Sequence, residues 1–244
     1  MPRFFVDDLS GDKIEICGGD ASHIALSLRM KQGERLTLCD GKAMEAECEI
    51  VSVCRESVEV SVLERRISAA EPKTEVVLYQ ALPKFDKLEY IVQKSVELGV
   101  SEIIPVLTSR CISRPDDKTM EKKRERLQKI ADEAAKQSGR GRLPKVGELL
   151  GFKEAAAEMS TAALPILFFE HGTEPLSTHM QKYSGGKIAV MIGSEGGFSD
   201  EEAKFCSEKG ILTATLGPRI LRCETAPVAA ISAIMYSAGE MEIK

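Results

Sequence analysis

The hydrophobic pattern divides the chain into a strand-rich first part and a second part in which strands and helices alternate. Residues 1 to 67 contain short strand-like runs, separated by turn signals such as Ser10-Gly11-Asp12 and Asp40-Gly41-Lys42. The runs are FFV, KIEI, ERLTLCD, AECEIVSV and SVEVSVLERR. One helix fits at 23–30, because Ile24 and Leu28 fall on one side of it. The pattern predicts a small β-rich domain over residues 1–70, with a linker at 67–74.

The second part, residues 71–244, has the pattern of an α/β domain with a mainly parallel sheet. Strands are predicted at 76–82, 102–108, 165–170, 187–193 and 211–217. The last three are continuous apolar runs, as expected of strands that are covered on both faces. Helices are predicted at 86–98, ending before Gly99, and at 120–137.

Composition excludes several classes of protein. With 43% hydrophobic and 29% charged residues, the 244-residue chain is typical of a folded globular protein. Seven cysteines with no C-x-x-C spacing and three scattered histidines indicate neither a disulfide framework nor a metal site. We expect no signal peptide, no membrane segment and a cytoplasmic location, because the N-terminus MPRFFVDDLSGDK lacks an apolar stretch.

Charge is unevenly distributed along the chain. The net charge is −5, yet residues 110–145 hold twelve Lys/Arg against six Asp/Glu. This stretch is either a surface that faces phosphates or the ordinary solvated face of a helix.

The sequence IGSEGGFSDEE, residues 192–202, follows a predicted strand and opens a helix. Its glycines allow a tight turn and a close approach to a ligand, and Ser199 with Glu202 forms a capping-box pattern. An ordinary strand-to-helix turn would explain the glycines equally well. The spacing matches no dinucleotide fingerprint, P-loop or nucleophile elbow.

The sequence LGPRILRCETAPVAAI, residues 216–231, follows the last predicted strand. Its loop leads into a helix that Thr225 is expected to cap, with Pro227 in the first turn. Arg222 either binds a ligand or forms a structural salt bridge with Glu224 or Glu195. Both loops follow consecutive core strands, and open α/β sheets bind ligands at the carboxyl ends of their strands.

Four motifs together carry a family resemblance. They are QALPKFDKLEYIVQKSVELGV, EAAKQSGR, IGSEGGFS and LGPRILRCETA, and in this order they resemble the bacterial 16S ribosomal RNA uridine-N3 methyltransferases, the RsmE family of the SPOUT superfamily. The N-terminal PRFFV and HIALSLRMKQGE are similar to the small PUA-like β-domain of that family. The chain departs from the family pattern at three positions, where the family usually has glycine, proline and threonine: Phe85, Ser194 and Cys223.

The resemblance implies a PUA-like β-barrel domain followed by a SPOUT α/β domain with a C-terminal trefoil knot. It also implies a homodimer that binds S-adenosyl-L-methionine and methylates N3 of a uridine in 16S ribosomal RNA of the small subunit. The last helix offers Ile231, Ile234, Met235 and Ala238 as a dimer face, although the same residues would serve an ordinary core helix.

Site residues follow from the two loops and this resemblance. Arg222 is the candidate that stabilises an anionic uracil, and Glu195 either accepts the N3 proton or orients Arg222. The candidate cofactor residues, mostly through backbone groups, are Gly193, Gly196, Leu216, Gly217, Ile220, Leu221, Thr225 and Ala226. The candidate RNA-binding residues are Arg3, His23, Arg29, Lys31, Arg110 and Arg114, although His23 taken alone is more often structural.

Two other classes of function stay open on the sequence. One is a non-enzymatic RNA-binding or ribosome-assembly factor with the same fold, against which the intact glycines and the 222–225 loop argue. The other is an α/β enzyme with a different nucleotide, such as a dinucleotide oxidoreductase, against which the missing glycine fingerprint argues.

Overall fold

The structure, a computed structural model, describes residues 1–172 and 174–242 and divides into two compact units. The first unit contains Met1–Glu71 and Ala135–Leu143, and the second contains Pro72–Ala134 and Pro144–Lys244. The chain passes between them at Glu71, inside the predicted linker. Thr173 and the last two residues of the predicted second domain lie outside the described residues.

The first unit is built on a five-stranded, mainly antiparallel sheet with the strand order β1-β3-β4-β5-β2. Its strands are β1 (Arg3–Phe5), β2 (Lys13–Cys17), β3 (Arg35–Cys39), β4 (Met44–Val53) and β5 (Ser57–Ile67). The pair β1 and β3 is parallel, and the other pairs are antiparallel. Apolar residues alternate along the strands, so one face buries side chains such as Leu36, Cys48 and Val60.

The helix predicted at 23–30 is displaced toward the N-terminus. A short helix α1 spans Gly18–Ser22, and a single π-helical turn, His23–Ser27, follows it. The helical backbone ends at Leu28, because Arg29 takes a left-handed φ of 54°.

A buried ion pair fixes the segment Ala135–Leu143 to the first unit. The guanidinium of Arg140, only 4% exposed, donates to the carboxylate of Glu71, and the Nη2 to Oε2 distance is 3.0 Å. The Oε1 atom of Glu71 also accepts hydrogen bonds from the backbone N–H groups of Gly141 and Arg142. Sequence pattern alone assigned this segment to the second domain, because a long-range pair leaves no periodic signal.

The second unit is built on a seven-stranded parallel sheet. Its strands are β6 (Val76–Ala81), β7 (Glu102–Leu107), β8 (Lys145–Val146), β9 (Leu150–Gly151), β10 (Leu164–Phe168), β11 (Ile188–Ile192) and β12 (Leu212–Ala214). The order is β12-β10-β11-β6-β7-β8, and β9 also pairs with β7. All five predicted strands are present. The last is three residues long instead of seven, because its partner β10 ends at Phe168, opposite Ala214.

Helices connect these strands. They are α2 (Lys87–Glu97), α3 (Asp117–Ser138), α4 (Phe152–Met159), α5 (Leu176–Lys182), α6 (Asp200–Glu208) and α7 (Thr225–Ser237). The pattern predicts α2 and α3 closely and omits α4 and α5, which have only eight and seven residues and so show little periodicity. The predicted capping box is present: Ser199 accepts from the Glu202 N–H, and the Glu202 carboxylate accepts from the Ser199 N–H.

Helix α7 corrects two expectations. Its N-cap is Glu224 rather than Thr225, and Pro227 lies in the first turn as predicted. Of the four residues offered as a dimer face, Ile231, Ile234 and Met235 are buried inside this chain and pack in the core of the unit instead, whereas Ala238 is partly exposed. In the described ranges, no helix is long and apolar enough to cross a membrane.

We predict that Glu71→Gln destabilises the first unit by about 3 kcal/mol, because it removes the negative charge that binds a buried guanidinium and two backbone N–H groups. Urea unfolding followed by circular dichroism measures the change. Glu64→Gln, on an exposed position of β5, is the matched control and should change stability by less than about 0.5 kcal/mol. Equal stability of the two variants would contradict the role given to this ion pair.

Candidate active site

A cavity of about 840 Å³ lies in the second unit where β10, β11 and β12 end. These strands are neighbours in the sheet and parallel, so the loops that follow them meet at one edge. The cavity brings together both candidate catalytic residues and six of the eight candidate cofactor residues. The predicted residues that line it are Gly193, Glu195, Leu216, Gly217, Ile220, Leu221, Arg222 and Ala226.

The loop after β11 is shaped by close backbone packing. A Cβ atom on Gly193 would lie 3.0 Å from the Cα of Gly197, and Gly197 has a left-handed φ of 64°. The loop then enters α6 through the Ser199 capping box. The two glycines therefore serve the tight turn, and both line the cavity.

The other two candidate cofactor residues do not line the cavity. The Gly196 carbonyl accepts a hydrogen bond from the Arg110 guanidinium at 2.9 Å, and a Cβ atom on Gly196 would lie 2.9 Å from the Cβ of Arg110. The backbone N–H of Thr225 donates to the Arg222 carbonyl at 2.8 Å. Both residues hold the loops in place next to the cavity.

Lys87 joins the loops through two salt bridges. Its ammonium lies 3.0 Å from a Glu195 carboxylate oxygen and 3.1 Å from a Glu224 carboxylate oxygen. The Glu195 carboxylate also accepts from the backbone N–H of Lys84. Three segments that are far apart in sequence are thus tied together at the cavity: the start of α2, the loop after β11 and the start of α7.

These contacts keep all three groups charged. Hydrogen bonds to Glu195 and Glu224 raise the pKa of Lys87. Burial acts to raise the pKa of Glu195, but the hydrogen bond from Lys87 and those from backbone N–H groups outweigh it, so this pKa is lowered. The pKa of Glu224 is also lowered, first by the hydrogen bond from the Cys223 thiol. Burial raises the pKa of that thiol to about 12, so Cys223 stays protonated.

Arg222 lies exposed in the loop before α7 and lines the cavity. In the part of the chain that the structure describes, its guanidinium forms no salt bridge and no hydrogen bond. The structural salt bridge with Glu224 or Glu195, which the sequence left open, is therefore not formed, because both carboxylates bind Lys87 instead.

Several cavity residues were missed by sequence reasoning. Phe168, Phe169 and Glu170 line the cavity at the end of β10, and Lys87 lines it at the start of α2. The first three stand at the carboxyl end of a predicted strand, so the rule used for the other two loops applies to them as well. Lys87 lies in the first of the four motifs, but its two partners follow it by more than a hundred residues, and no local pattern indicates them.

The candidate RNA-binding residues of the first unit differ in how they are engaged. Arg3 is half-buried and donates to Glu45 at 2.8 Å and to the Cys39 sulfur at 2.7 Å, so it serves the unit itself. His23 is exposed, and its ring forms a T-shaped contact with the ring of Phe4, with 6.2 Å between the two ring centroids. The side chains of Arg29 and Lys31 are exposed, and both charges face solvent.

The two candidates of the second unit are exposed but also bonded to carbonyl groups. The Arg114 guanidinium donates to the carbonyls of Thr108 and Ser109, and that of Arg110 donates to Gly196. A carbonyl neutralises no charge, so both cations remain able to attract a phosphate.

Within 1–172 and 174–242, no group of three His, Cys, Asp or Glu side chains is arranged to hold a metal.

Comparisons with known proteins agree with the resemblance drawn from the motifs. A family model described as an RNA methyltransferase domain matches residues 70–235, and one described as an RNA methyltransferase PUA domain matches residues 16–63. The ribosomal RNA small subunit methyltransferase E of Bacillus subtilis (strain 168) is 36% identical over 97% of this chain and 96% of its own.

Two solved structures are similar over nearly their whole length. One is a ribosomal RNA small subunit methyltransferase E from Neisseria gonorrhoeae bound to S-adenosyl methionine, 31% identical, with a TM-score of 0.88 and 97% of each chain covered. The other is a putative methyltransferase from Legionella pneumophila in complex with the bound cofactor SAM, also 31% identical, with a TM-score of 0.83 and 96% and 97% covered. The sequence resemblance is confirmed, and the chain belongs to the ribosomal RNA small subunit methyltransferase E family.

Proposed function

We propose that this protein is an S-adenosyl-L-methionine-dependent methyltransferase that methylates N3 of a specific uridine in 16S ribosomal RNA of the small subunit. The observation that carries the proposal is the cavity at the ends of β10, β11 and β12, in a chain of this family. The uridine and the N3 position come from the family resemblance. The reaction would take place in the cytoplasm, where the ribosomal subunit is assembled.

The residues of the cavity fit the proposed cofactor. Its volume of about 840 Å³ is within the usual range for ligand sites, roughly 300 to 1,000 Å³. Backbone groups of Leu216, Gly217 and Leu221 would hold the neutral adenine ring of the cofactor. Phe168 and Phe169 form part of the apolar wall of the cavity. The exposed Glu170 carboxylate would accept hydrogen bonds from ribose hydroxyls. S-adenosyl-L-methionine supplies an activated methyl group from its sulfonium.

Uridine N3 carries a proton and is a poor nucleophile until that proton leaves. The site must therefore favour negative charge on the uracil ring. The Arg222 guanidinium is suited to this task, because it lines the cavity and because Glu195 and Glu224 bind Lys87 instead of Arg222. A preorganised cation beside a developing anion stabilises the transition state without reorganisation.

The environment of Glu195 favours a positioning role for this residue. Its lowered pKa makes the carboxylate a weak base at neutral pH, since efficient bases have a pKa near the working pH. It binds Lys87 and the Lys84 N–H and so holds the loop after β11. We assign the charge stabilisation to Arg222 and the geometry of the loops to Lys87, Glu195 and Glu224.

Docking of the RNA is assigned mainly to the small domain, residues 1–70, and methyl transfer to residues 71–244. Support comes from the two family models, which match within these ranges almost completely. Arg29 and Lys31 are the first candidates for phosphate contacts, with His23, Arg110 and Arg114 beside them. The target base must be unpaired or flipped, because N3 lies on its Watson–Crick edge.

The proposed C-terminal trefoil knot is supported by the family and by the placement of the loops after β11 and β12 at one sheet edge. An experimental structure traced through residues 188–238 tests it. A chain whose α7 can be withdrawn without passing through a loop would contradict the knot.

The experiment that tests the function measures binding and product. Calorimetry with S-adenosylhomocysteine should show binding, and absence of heat would favour the non-enzymatic assembly factor. Nucleosides from ribosomal RNA of a deletion strain, analysed by mass spectrometry, should lack one N3-methyluridine. Restoration by the wild-type gene completes the test, and an unchanged nucleoside profile would reject the proposal.

We predict that Arg222→Ala lowers kcat by about 10²- to 10³-fold, as the loss of one preorganised donor does elsewhere. The fold and the affinity for S-adenosylhomocysteine should stay near wild type, because the guanidinium is exposed and the cofactor contacts are mostly backbone. Arg29→Ala is the contrast. It should raise KM for RNA and leave kcat unchanged. The salt dependence of RNA binding should fall by roughly the contribution of one phosphate contact. Near-normal kcat in Arg222→Ala would contradict the electrostatic role.

For Glu195→Gln we predict a loss in kcat of less than about tenfold and an unchanged shape of the pH profile. The pKa of this carboxylate is lowered, so the group is already ionised in the working range and does not titrate there. Removal of a true general base would cost about 10²- to 10⁴-fold and change the pH dependence. Rates measured from pH 6 to pH 9 at saturating RNA and cofactor distinguish these outcomes.

A homodimer is the last part of the proposal. With the predicted face buried in the core, the partly exposed side of α7 is the alternative: Val228, Ala229, Ser232, Ala233 and Tyr236, spaced along one stripe. Small residues allow a close approach of two helices, and Tyr236 is 74% exposed.

We predict that Ala233→Arg converts the dimer into a monomer, because it adds a long charged side chain to a closely packed interface. Light scattering should then report the 26.7 kDa mass of one chain. Leu63→Arg, on an exposed position of β5, is the control and should remain dimeric. A wild-type protein that is itself 26.7 kDa at micromolar concentration would contradict the dimer.

A further inference from the structure

Phe85 combines two features that are unfavourable for a folded protein. The residue is 82% exposed, more than any other phenylalanine or tyrosine that the structure describes. Its backbone has a φ of 58°, in the left-handed region that glycine favours. For a residue with a Cβ atom this conformation costs roughly 1–2 kcal/mol. With so little of the ring covered, packing within the chain returns little of that cost.

The position of Phe85 relates it to the active site. It lies in the short loop between β6 and α2, and both flanking segments bind Glu195. The Lys84 N–H donates to the Glu195 carboxylate at 3.2 Å, and the Lys87 ammonium lies 3.0 Å from the same group. Since Glu195 and Lys87 line the cavity, this loop is fixed at the rim of the cavity. The exposed ring is therefore held next to the proposed site of methyl transfer.

A second feature of the loop indicates the ligand class. The side chain of Lys84, next to Phe85, forms no ion pair or hydrogen bond with the residues that the structure describes. An exposed aromatic ring beside an unneutralised ammonium is the pairing that binds an unpaired nucleotide, with the base stacked on the ring and the phosphate near the cation. Strained residues concentrate at ligand sites, because the surrounding structure holds them there for a function.

We propose that Phe85 is a stacking platform for an unpaired nucleobase of the RNA substrate, either the target uracil or its neighbour. The inference rests on the proposed function, because N3 becomes accessible only when the target base leaves its stack. Stacking on Phe85 replaces part of the stacking energy that the base loses. Phe85 is in this role a substrate-positioning residue, and it does not take part in binding the cofactor.

The test compares Phe85→Ala, Phe85→Trp and Phe85→Gly with wild type, using a single-stranded oligoribonucleotide that contains the target uridine. Loss of one base stack, about 1–3 kcal/mol, corresponds to a rise in KM for RNA of roughly 5- to 150-fold in Phe85→Ala. Phe85→Trp should keep KM at or below the wild-type value. The affinity for S-adenosylhomocysteine should be unchanged in all three variants. Tyr90→Ala, at an exposed aromatic residue on α2, is the matched control and should keep the wild-type KM.

Two further measurements exclude a merely structural role. Phe85→Gly should unfold at a higher temperature than Phe85→Ala, since it relieves the left-handed backbone, yet show the same loss of RNA affinity. An oligoribonucleotide with 2-aminopurine beside the target uridine should lose fluorescence on binding wild type, because stacking quenches it. It should keep that fluorescence with Phe85→Ala.

The outcomes separate this inference from the proposed function. Wild type that methylates RNA, together with Phe85→Ala of unchanged KM and unchanged quenching, overturns the stacking role alone. A Phe85→Ala variant that becomes monomeric in light scattering also overturns it, since the ring would then belong to a subunit interface. Wild type that transfers no methyl group contradicts the proposed function, and the 2-aminopurine signal still decides whether Phe85 stacks on a base.

Discussion

The candidate active site depends on one ammonium group that binds two carboxylates from different loops. Lys87 opens α2, Glu195 lies in the loop after β11, and Glu224 caps α7. A parallel sheet places these loops at one edge but does not determine their conformations. The two salt bridges tie them together at the cavity. The loops that line the cavity therefore depend on Lys87 for their relative positions.

This arrangement also explains why Arg222 is available for chemistry. The loop 216–224 contains two arginines and one glutamate, and a local pair between Arg222 and Glu224 would be the simplest way to neutralise the charges. Lys87 occupies that glutamate and Glu195 as well, so the guanidinium of Arg222 keeps its charge at the cavity. Lys87, by binding both carboxylates, thereby leaves Arg222 without a salt bridge to either of them.

Most of the framework could be predicted from the sequence. Apolar runs located five of the seven strands of the parallel sheet, and amphipathic spacing located α2 and α3 within a few residues. Short elements were missed, because α4, α5, β8 and β9 contain too few residues for a periodic pattern. The loops of the candidate site were found because they follow consecutive strands, and six of eight proposed cofactor residues line one cavity.

The predictions that failed concern contacts between distant residues. Apolar spacing on α7 correctly identified the side of the helix that is buried. It did not show whether that side packs against this chain or against a second subunit, because a core face and an interface face have the same periodicity. Similarly, the sequence left open a salt bridge of Arg222 with Glu224 or Glu195, whereas the structure pairs both carboxylates with Lys87. The segment Ala135–Leu143 joins the first unit through Glu71 and Arg140, about seventy positions apart. Such pairs depend on the tertiary fold, so composition and periodicity along the chain contain no signal for them.

The distribution of charge at the cavity suits a reaction between a cationic methyl donor and a base that becomes anionic. Lys87 with Glu195 and Glu224 forms a cluster with one excess negative charge, and the shifted pKa values of all three keep it so at neutral pH. Arg222 adds a separate positive charge on the same loop as Glu224. The negative cluster would favour a sulfonium, and the guanidinium would favour a deprotonated uracil, as the proposed reaction requires. Because the cluster is held by its own salt bridges, its field exists before either substrate binds, which is the condition for electrostatic preorganisation.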